Sequence, residues 1–248
     1  MNLDKYITFE KGSIPLILSV PHGGTLECEK IPKRANGVLG IDKGTIELTQ
    51  NLITYIKKNS ENKMIPSYII SNVSRSKIDL NREESKAFIQ NSSLAKQIYQ
   101  FYHKKIKDLI LENITIFDNS LLLDIHGFEI SNRPSGFRDV DLILGTNNLE
   151  SFFSKPIPKR LWGNNIRGII IKKFLALKIP IAPGHPRRRE YALAGGYITQ
   201  LYGTSNILKS KTMQIEFSDR IRIFNKKLKK IVLKTLAEII VNEYTKIN

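Results

Sequence analysis

Short apolar runs alternate along this chain with longer stretches of helical period. Apolar residues crowd into 14–20, 67–73, 121–125, 140–144, 178–182 and 213–217, each of strand length. Between them, 42–58 places Ile46, Thr49, Leu52, Ile53 and Ile56 on one side of a helix, and 93–111 does the same with Ile98, Tyr102, Ile106 and Leu109. A further helix is predicted over 162–174, interrupted by Gly163 and Gly168, and a closing one over 222–244. Strands alternating with helices predict an α/β fold, a mainly parallel or mixed central sheet with helices on both faces. No internal repeat or low-complexity linker interrupts the pattern, and the proline-containing piece 155–159 reads as a loop. At 248 residues the expectation is one catalytic domain over 1–248.

Composition narrows this picture. Hydrophobic residues make up 41% and charged residues 25%, which predicts a packed core and excludes global disorder. No apolar run is long enough for a bilayer, and the first residues have mixed charge without the apolar stretch of a secretory signal. The single Cys28 cannot form an internal disulfide, so the expected compartment is reducing, and the expected location cytoplasmic. The net charge is +16. A polyanionic partner such as nucleic acid is one reading. The favoured one is a solvated helix face: Lys226, Lys227, Lys229, Lys230 and Lys234 interleave with Ile223, Leu228, Ile231, Val232 and Leu236 at near-helical spacing. No cluster of aromatics interleaves with the basic residues as a stacking platform would need.

The chemistry lies where apolar runs end. His22 stands in Pro21-His22-Gly23-Gly24 after the first strand, His126 in Asp124-Ile125-His126-Gly127, and Glu216 in Gln214-Ile215-Glu216. Gly145-Thr146 and the segment 75–82 also follow strands. In open parallel sheets ligands bind beyond the carboxyl ends of strands, so five such clusters are expected to converge. Two histidines and a carboxylate suit a zinc ion that leaves a position for water, while a separate carboxylate takes the proton. Asp124 and His126 point to one side of a strand, which lets the carboxylate orient the imidazole. Glu27, Asp42 and Glu47 are candidates for the third ligand, and Asp42 also suits a helix cap. Arg75, Asn81 and Arg82 are candidate anchors for an acidic substrate, with Asp79 orienting Arg82. Glu216 is either a partly desolvated base or an outward residue of an alternating strand. The 185–189 loop, His-Pro-Arg-Arg-Arg, is expected to cover the site or attract an anion, and the glycines of Ala194-Gly195-Gly196-Tyr197 to allow close backbone approach. His103, flanked by lysines, reads as a surface residue.

Taken in order, these motifs resemble the N-formylglutamate amidohydrolase family. The resemblance runs from Pro21 to about Arg220 and includes Asp42 with Gly44-Thr45, Ser74-Arg75, Asp79-Leu80-Asn81-Arg82, Asp141 with Leu144-Gly145-Thr146, and Gly195-Gly196-Tyr197. It implies a fold related to zinc carboxypeptidases and zinc-dependent deacylases. It also implies one zinc ion, or another divalent metal, held by His22, Asp42 and His126. The implied base is Glu216, and the implied substrate is a small acidic N-acyl amino acid such as N-formylglutamate. The resemblance further implies a role for Arg82 in catalysis and substrate binding, with Arg75, Asn81, Gly195, Gly196 and Tyr197 as further substrate contacts. Relatives of this fold carry a His-x-x-Glu metal motif. Here Thr25 occupies the Glu position, so the second ligand must come from elsewhere. The alternatives are the same fold acting on another acylated substrate (a peptide, cell-wall fragment or acylated RNA) and a non-catalytic basic nucleic-acid-binding protein.

Overall fold

The computed structural model describes residues 3–132, 139–191 and 193–245. In chain order the elements are β1 (Ile7–Glu10), β2 (Leu16–Val20), α1 (Thr45–Asn59), β3 (Ser67–Ser71), α2 (Glu84–Ala87), α3 (Ser93–Phe117), β4 (Ser120–Phe128), β5 (Leu142–Gly145), α4 (Ile166–Ala176), β6 (Ile181–Ala182), α5 (Tyr197–Tyr202), β7 (Ser210–Ser218) and α6 (Lys226–Thr245). The seven strands form one mixed sheet in the order β1-β3-β2-β4-β7-β5-β6. Strands β3, β2, β4 and β7 run parallel. Two reversals frame them, β1 against β3 and β5 against β7. Strand β1 lies outside the predicted elements.

Period-two alternation divides the central strands between two cores. Leu16, Leu18 and Val20 of β2, Leu121, Leu123 and Ile125 of β4, and Met213, Ile215 and Phe217 of β7 join the layer that includes α1, α4 and α6. Burying one such side chain stabilises the fold by about 1.5–3 kcal/mol. On the opposite face Ile17 and Leu122 meet α3 and α5. Next along that face come Ser19, Asp124 and His126, then Gln214 and Glu216. Ser19 lies beside Asp124, Asp124 beside Gln214, and His126 beside Glu216. One face of the sheet is thus apolar throughout, while the other is apolar at one end and gathers its polar residues toward the carboxyl ends of β2, β4 and β7.

Local signals set the helix ends. The Ser92 hydroxyl accepts from Ala95 N at the start of α3, and Asp118 ends that helix with φ 60°. Helix α1 begins three residues later than predicted. Its cap is Gly44 at φ 83°, with no side-chain cap bond, so Asp42 is not its capping residue. Helix α6 buries Val232, Leu233 and Leu236 and leaves Lys226, Lys227, Lys230 and Lys234 exposed, as a solvated face requires. Ile223 and Ile231 are also on the exposed side. His103 departs from expectation. It is buried on the α3 stripe, with Nε2 3.0 Å from Leu80 O and Nδ1 2.8 Å from the Tyr202 hydroxyl. Burial, partly offset by the Leu80 carbonyl, pulls its pKa down to about 4. No helix among the described residues is long and apolar enough to cross a membrane.

Candidate metal centre

The turn after β2 passes through a narrow gap. A Cβ on Gly23 would lie 2.6 Å from Thr45 Oγ1, and one on Gly24 2.2 Å from Asn72 C, so both positions require glycine. His22 leaves this turn fully buried, and its carbonyl accepts from Asp42 N at 2.9 Å. His126 arrives from β4. The two Nδ1 atoms lie 3.2 Å apart. Asp42 Oδ2 is 3.1 Å from His126 Nδ1 and 3.6 Å from His22 Nδ1, and it also accepts from Gly127 N at 3.1 Å. These distances bracket the ligand–ligand edge of about 3.4 Å that tetrahedral zinc with bonds of about 2.1 Å requires.

The outer nitrogens are braced by other carboxylates. His22 Nε2 is 2.7 Å from Asp79 Oδ1, and His126 Nε2 is 2.8 Å from Asp124 Oδ2. If each Nε2 carries a proton and donates it, both Nδ1 lone pairs face the centre, the arrangement that orients metal-bound histidines. Asp124 Oδ1 in turn accepts from Ser19 Oγ at 2.7 Å, and that hydroxyl lies 2.9 Å from the Tyr102 hydroxyl.

Electrostatics favour positive charge here. Burial disfavours a charged His126, but the charge and hydrogen bond of Asp124, with Asp42 and Glu216, hold its pKa well above the usual imidazole range. Burial raises the pKa of Asp42, yet hydrogen bonds with His126 and His22 hold it well below the usual carboxylate range. Asp79 behaves alike, with His22, Arg75 and Arg82 overcoming its burial. Burial pushes the Glu216 carboxyl up against the opposing charge of His126, and Gln214 Nε2 donates to its Oε1 at 2.8 Å. The donor set of two imidazoles and one carboxylate fits a divalent ion such as zinc.

The remaining candidates distribute as follows. Glu27 is exposed and accepts from Ser76, and Glu47 pairs with Lys229, so neither joins the cluster. Arg75 bridges Asp79 Oδ2 at 3.3 Å and Asp42 Oδ1 at 3.6 Å. Arg82 donates from Nε to Asp79 Oδ2 at 2.9 Å and remains partly exposed. Asp79 thus orients both arginines and His22 together, a wider role than the predicted one. Asn81 Nδ2 lies 3.2 Å from His126 Nε2, and its Oδ1 accepts from Ile198 N. The close approach at Gly196 is to Asn81, and at Gly195 to Thr199 and Gly145. The Tyr197 ring sits edge-on to His103 at 5.9 Å.

One expectation about the loops is corrected. Strand β5 runs antiparallel to β7, with Gly145 beside Gln214 and Leu142 beside Phe217, so its carboxyl end points away from the end of β7 beyond Glu216. Thr146 consequently bonds Glu190 and does not reach the histidines. The 185–189 loop is held through Arg167, which pairs with Glu190 and donates to the Pro186 and Arg188 carbonyls, and its three arginines stay exposed, as the anion-attracting reading of this loop requires.

The motif reading missed two arginines. Arg34, buried, lies 3.6 Å from Asp79 Oδ2 and donates to the carbonyls of Asn36, Val38 and Arg75. Arg222, in a single π-type turn at Arg220–Phe224, donates to the carbonyls of Phe217, Phe128 and Lys43. It thereby ties together the chain beside Glu216, His126 and Asp42. A Cβ on Gly127 would meet Arg222 Nε at 2.3 Å, so Gly127→Ala would displace this clasp. The π-type turn was the available signal, but it is a property of the backbone and not of residue pattern.

No protein-family model matches the sequence, and no curated protein matches it. Solved structures do match. The N-formylglutamate amidohydrolase from Ralstonia eutropha JMP134 superimposes with a TM-score of 0.66 and 13% identity, covering 98% of each chain. A gene product of Agrobacterium tumefaciens gives a TM-score of 0.62 at 13% identity, covering 98% of this chain and 96% of that one. The chain therefore has the fold of a solved N-formylglutamate amidohydrolase.

Proposed function

We propose that the chain is a metal-dependent hydrolase that cleaves the N-acyl amide bond of an acidic amino acid, with N-formylglutamate as the leading substrate. The observation that carries this reading is the convergence of His22 Nδ1, His126 Nδ1 and Asp42 Oδ2 at near-tetrahedral spacing, with both outer nitrogens braced by carboxylates. A zinc ion bound there supplies Lewis acidity and brings the pKa of water toward neutrality.

The protein's own residues do the rest. Glu216 accepts the proton of the attacking water and returns it to the leaving amine. Its burial raises the carboxyl pKa toward the working pH, which suits both halves of that task. Arg82 and Arg75, oriented by Asp79, hold the carboxylate of the substrate, and Asn81 lies between them and His126. An arginine pair favours a substrate that carries its own carboxylate, consistent with an acidic amino acid.

The test is formate release from N-formylglutamate by zinc-loaded protein, alongside N-acetyl and neutral N-formyl amino acids. Glu216→Gln is expected to keep its zinc and lose about 10²–10⁴-fold in turnover, the usual contribution of a general base. A variant that retains activity within about tenfold removes Glu216 from this role. Hydrolysis that favours neutral substrates removes the arginines from theirs.

A further inference from the structure

Away from the metal centre, the fold builds a cationic surface with aromatic rings in it. Lys159, Trp162, Arg187, Arg188, Arg189 and Tyr191 line one depression of about 500 Å3. Trp162 and Arg189 also line a second, which adds Lys155, and Arg187 lines a third, which adds Arg160 and Lys172. The three depressions therefore adjoin one another, sharing Trp162, Arg187 and Arg189 along a cationic track. Glu150, which accepts from Asn147, is the carboxylate along it among the described residues.

The loop is constructed so that its own negative charge turns inward. Glu190 is buried and accepts from Arg167 Nε at 2.7 Å, Thr146 N at 2.8 Å, Thr146 Oγ1 at 2.5 Å and Asn148 N at 2.8 Å. Arg167 also donates to the carbonyls of Pro186 and Arg188. This fixes the loop backbone while Arg187, Arg188 and Arg189 remain exposed. The indole Nε1 of Trp162 donates to Ile157 O at 3.1 Å, which fixes that ring at the track. Tyr191 is 84% exposed. Consecutive arginines suit phosphates, and a fixed ring beside an exposed one suits unstacked bases.

We propose that this face binds single-stranded nucleic acid, with the backbone along the arginines and bases stacked on Trp162 and Tyr191. The helix face of α6, which holds much of the lysine excess, has no such rings and is not the site. The test is fluorescence anisotropy of the full chain with a labelled oligouridylate of about 12 nucleotides. Binding is read without turnover, so its outcome is independent of the hydrolase reading. For about four phosphates neutralised, log K should fall against log salt with a slope of about −3. The Arg187→Ala/Arg189→Ala variant should flatten that slope by about 1.4. Tyr191→Ala should weaken binding about tenfold with the slope unchanged. Inorganic polyphosphate should compete poorly at equal charge, and a duplex of equal length should bind less tightly. Equal competition by polyphosphate, equal duplex affinity, an inert Tyr191→Ala or an unchanged slope in the arginine variant would overturn the proposal.

Discussion

At the Arg167–Glu190 pair every buried donor points at an acceptor; at His22, Asp42 and His126 two imidazole nitrogens and a carboxylate oxygen crowd toward one point. Both groups are buried, charged and attached to the same sheet. The first closes on itself, with the guanidinium reaching one carboxylate and two carbonyls and the carboxylate receiving four hydrogen bonds. The second is braced from outside by Asp79 and Asp124 and gathers three potential metal-ligating atoms at its centre. Burial of charge alone therefore does not mark a functional site. The informative feature is whether metal-ligating atoms from distant segments converge on a common point.

The comparison can be broken most forcefully at the closed pair. Glu190→Gln leaves Arg167 as an unpaired buried charge and should destabilise the fold by about 3–5 kcal/mol in urea unfolding. Zinc content should not change. A variant of normal stability would mean that water or rearrangement replaces the carboxylate.

A third buried group, His103, sharpens the contrast, because its environment favours the neutral form. Its folded pKa of about 4 lies below the unfolded value of 6.5. Between these values the unfolded chain binds more protons, so stability is complete above pH 6.5 and falls as the pH drops toward 4. The loss approaches about 3 kcal/mol. A series of urea titrations over this range checks it, and the step should vanish in His103→Gln. If both proteins lose stability in parallel, the titrating group lies elsewhere.

The smallest effect is expected at the bracing carboxylates. Asp124→Asn keeps the shape of the side chain but weakens the hold on His126, and should cost about 10–100-fold in zinc affinity by competition with a chelator. Unchanged affinity would show that the β4 backbone alone positions the imidazole.

Much of the sheet was legible because its strands alternate cleanly. Asp124 and His126 share a face by counting, whereas the match of His126 to Glu216 also needs the parallel pairing and register of β4 and β7, which the residue pattern does not give. That pairing also sets Glu216 beside His126, where its side chain is half-buried. The face it shares with Gln214 is the one that carries Asp124 and His126 on β4. The direction of β5 was not legible, since an apolar run reads alike in either sense, and the placement of Gly145-Thr146 failed with it. The burial of His103 was available in principle. It continues the helical stripe of Tyr99, Ile106 and Ile110, but the neighbouring lysines masked that period. The joining of Asp79 to His22 was beyond reach. It depends on how the loop after β3 folds back, and no spacing along the chain encodes that distance.

The central claim is that a divalent ion is held by atoms from three distant segments. Zinc titration with X-ray absorption spectroscopy on the purified chain tests it most directly. The account predicts one zinc per chain in a shell of nitrogen and oxygen donors, lost in His126→Ala. Undiminished zinc binding with an unchanged shell in that variant would contradict it.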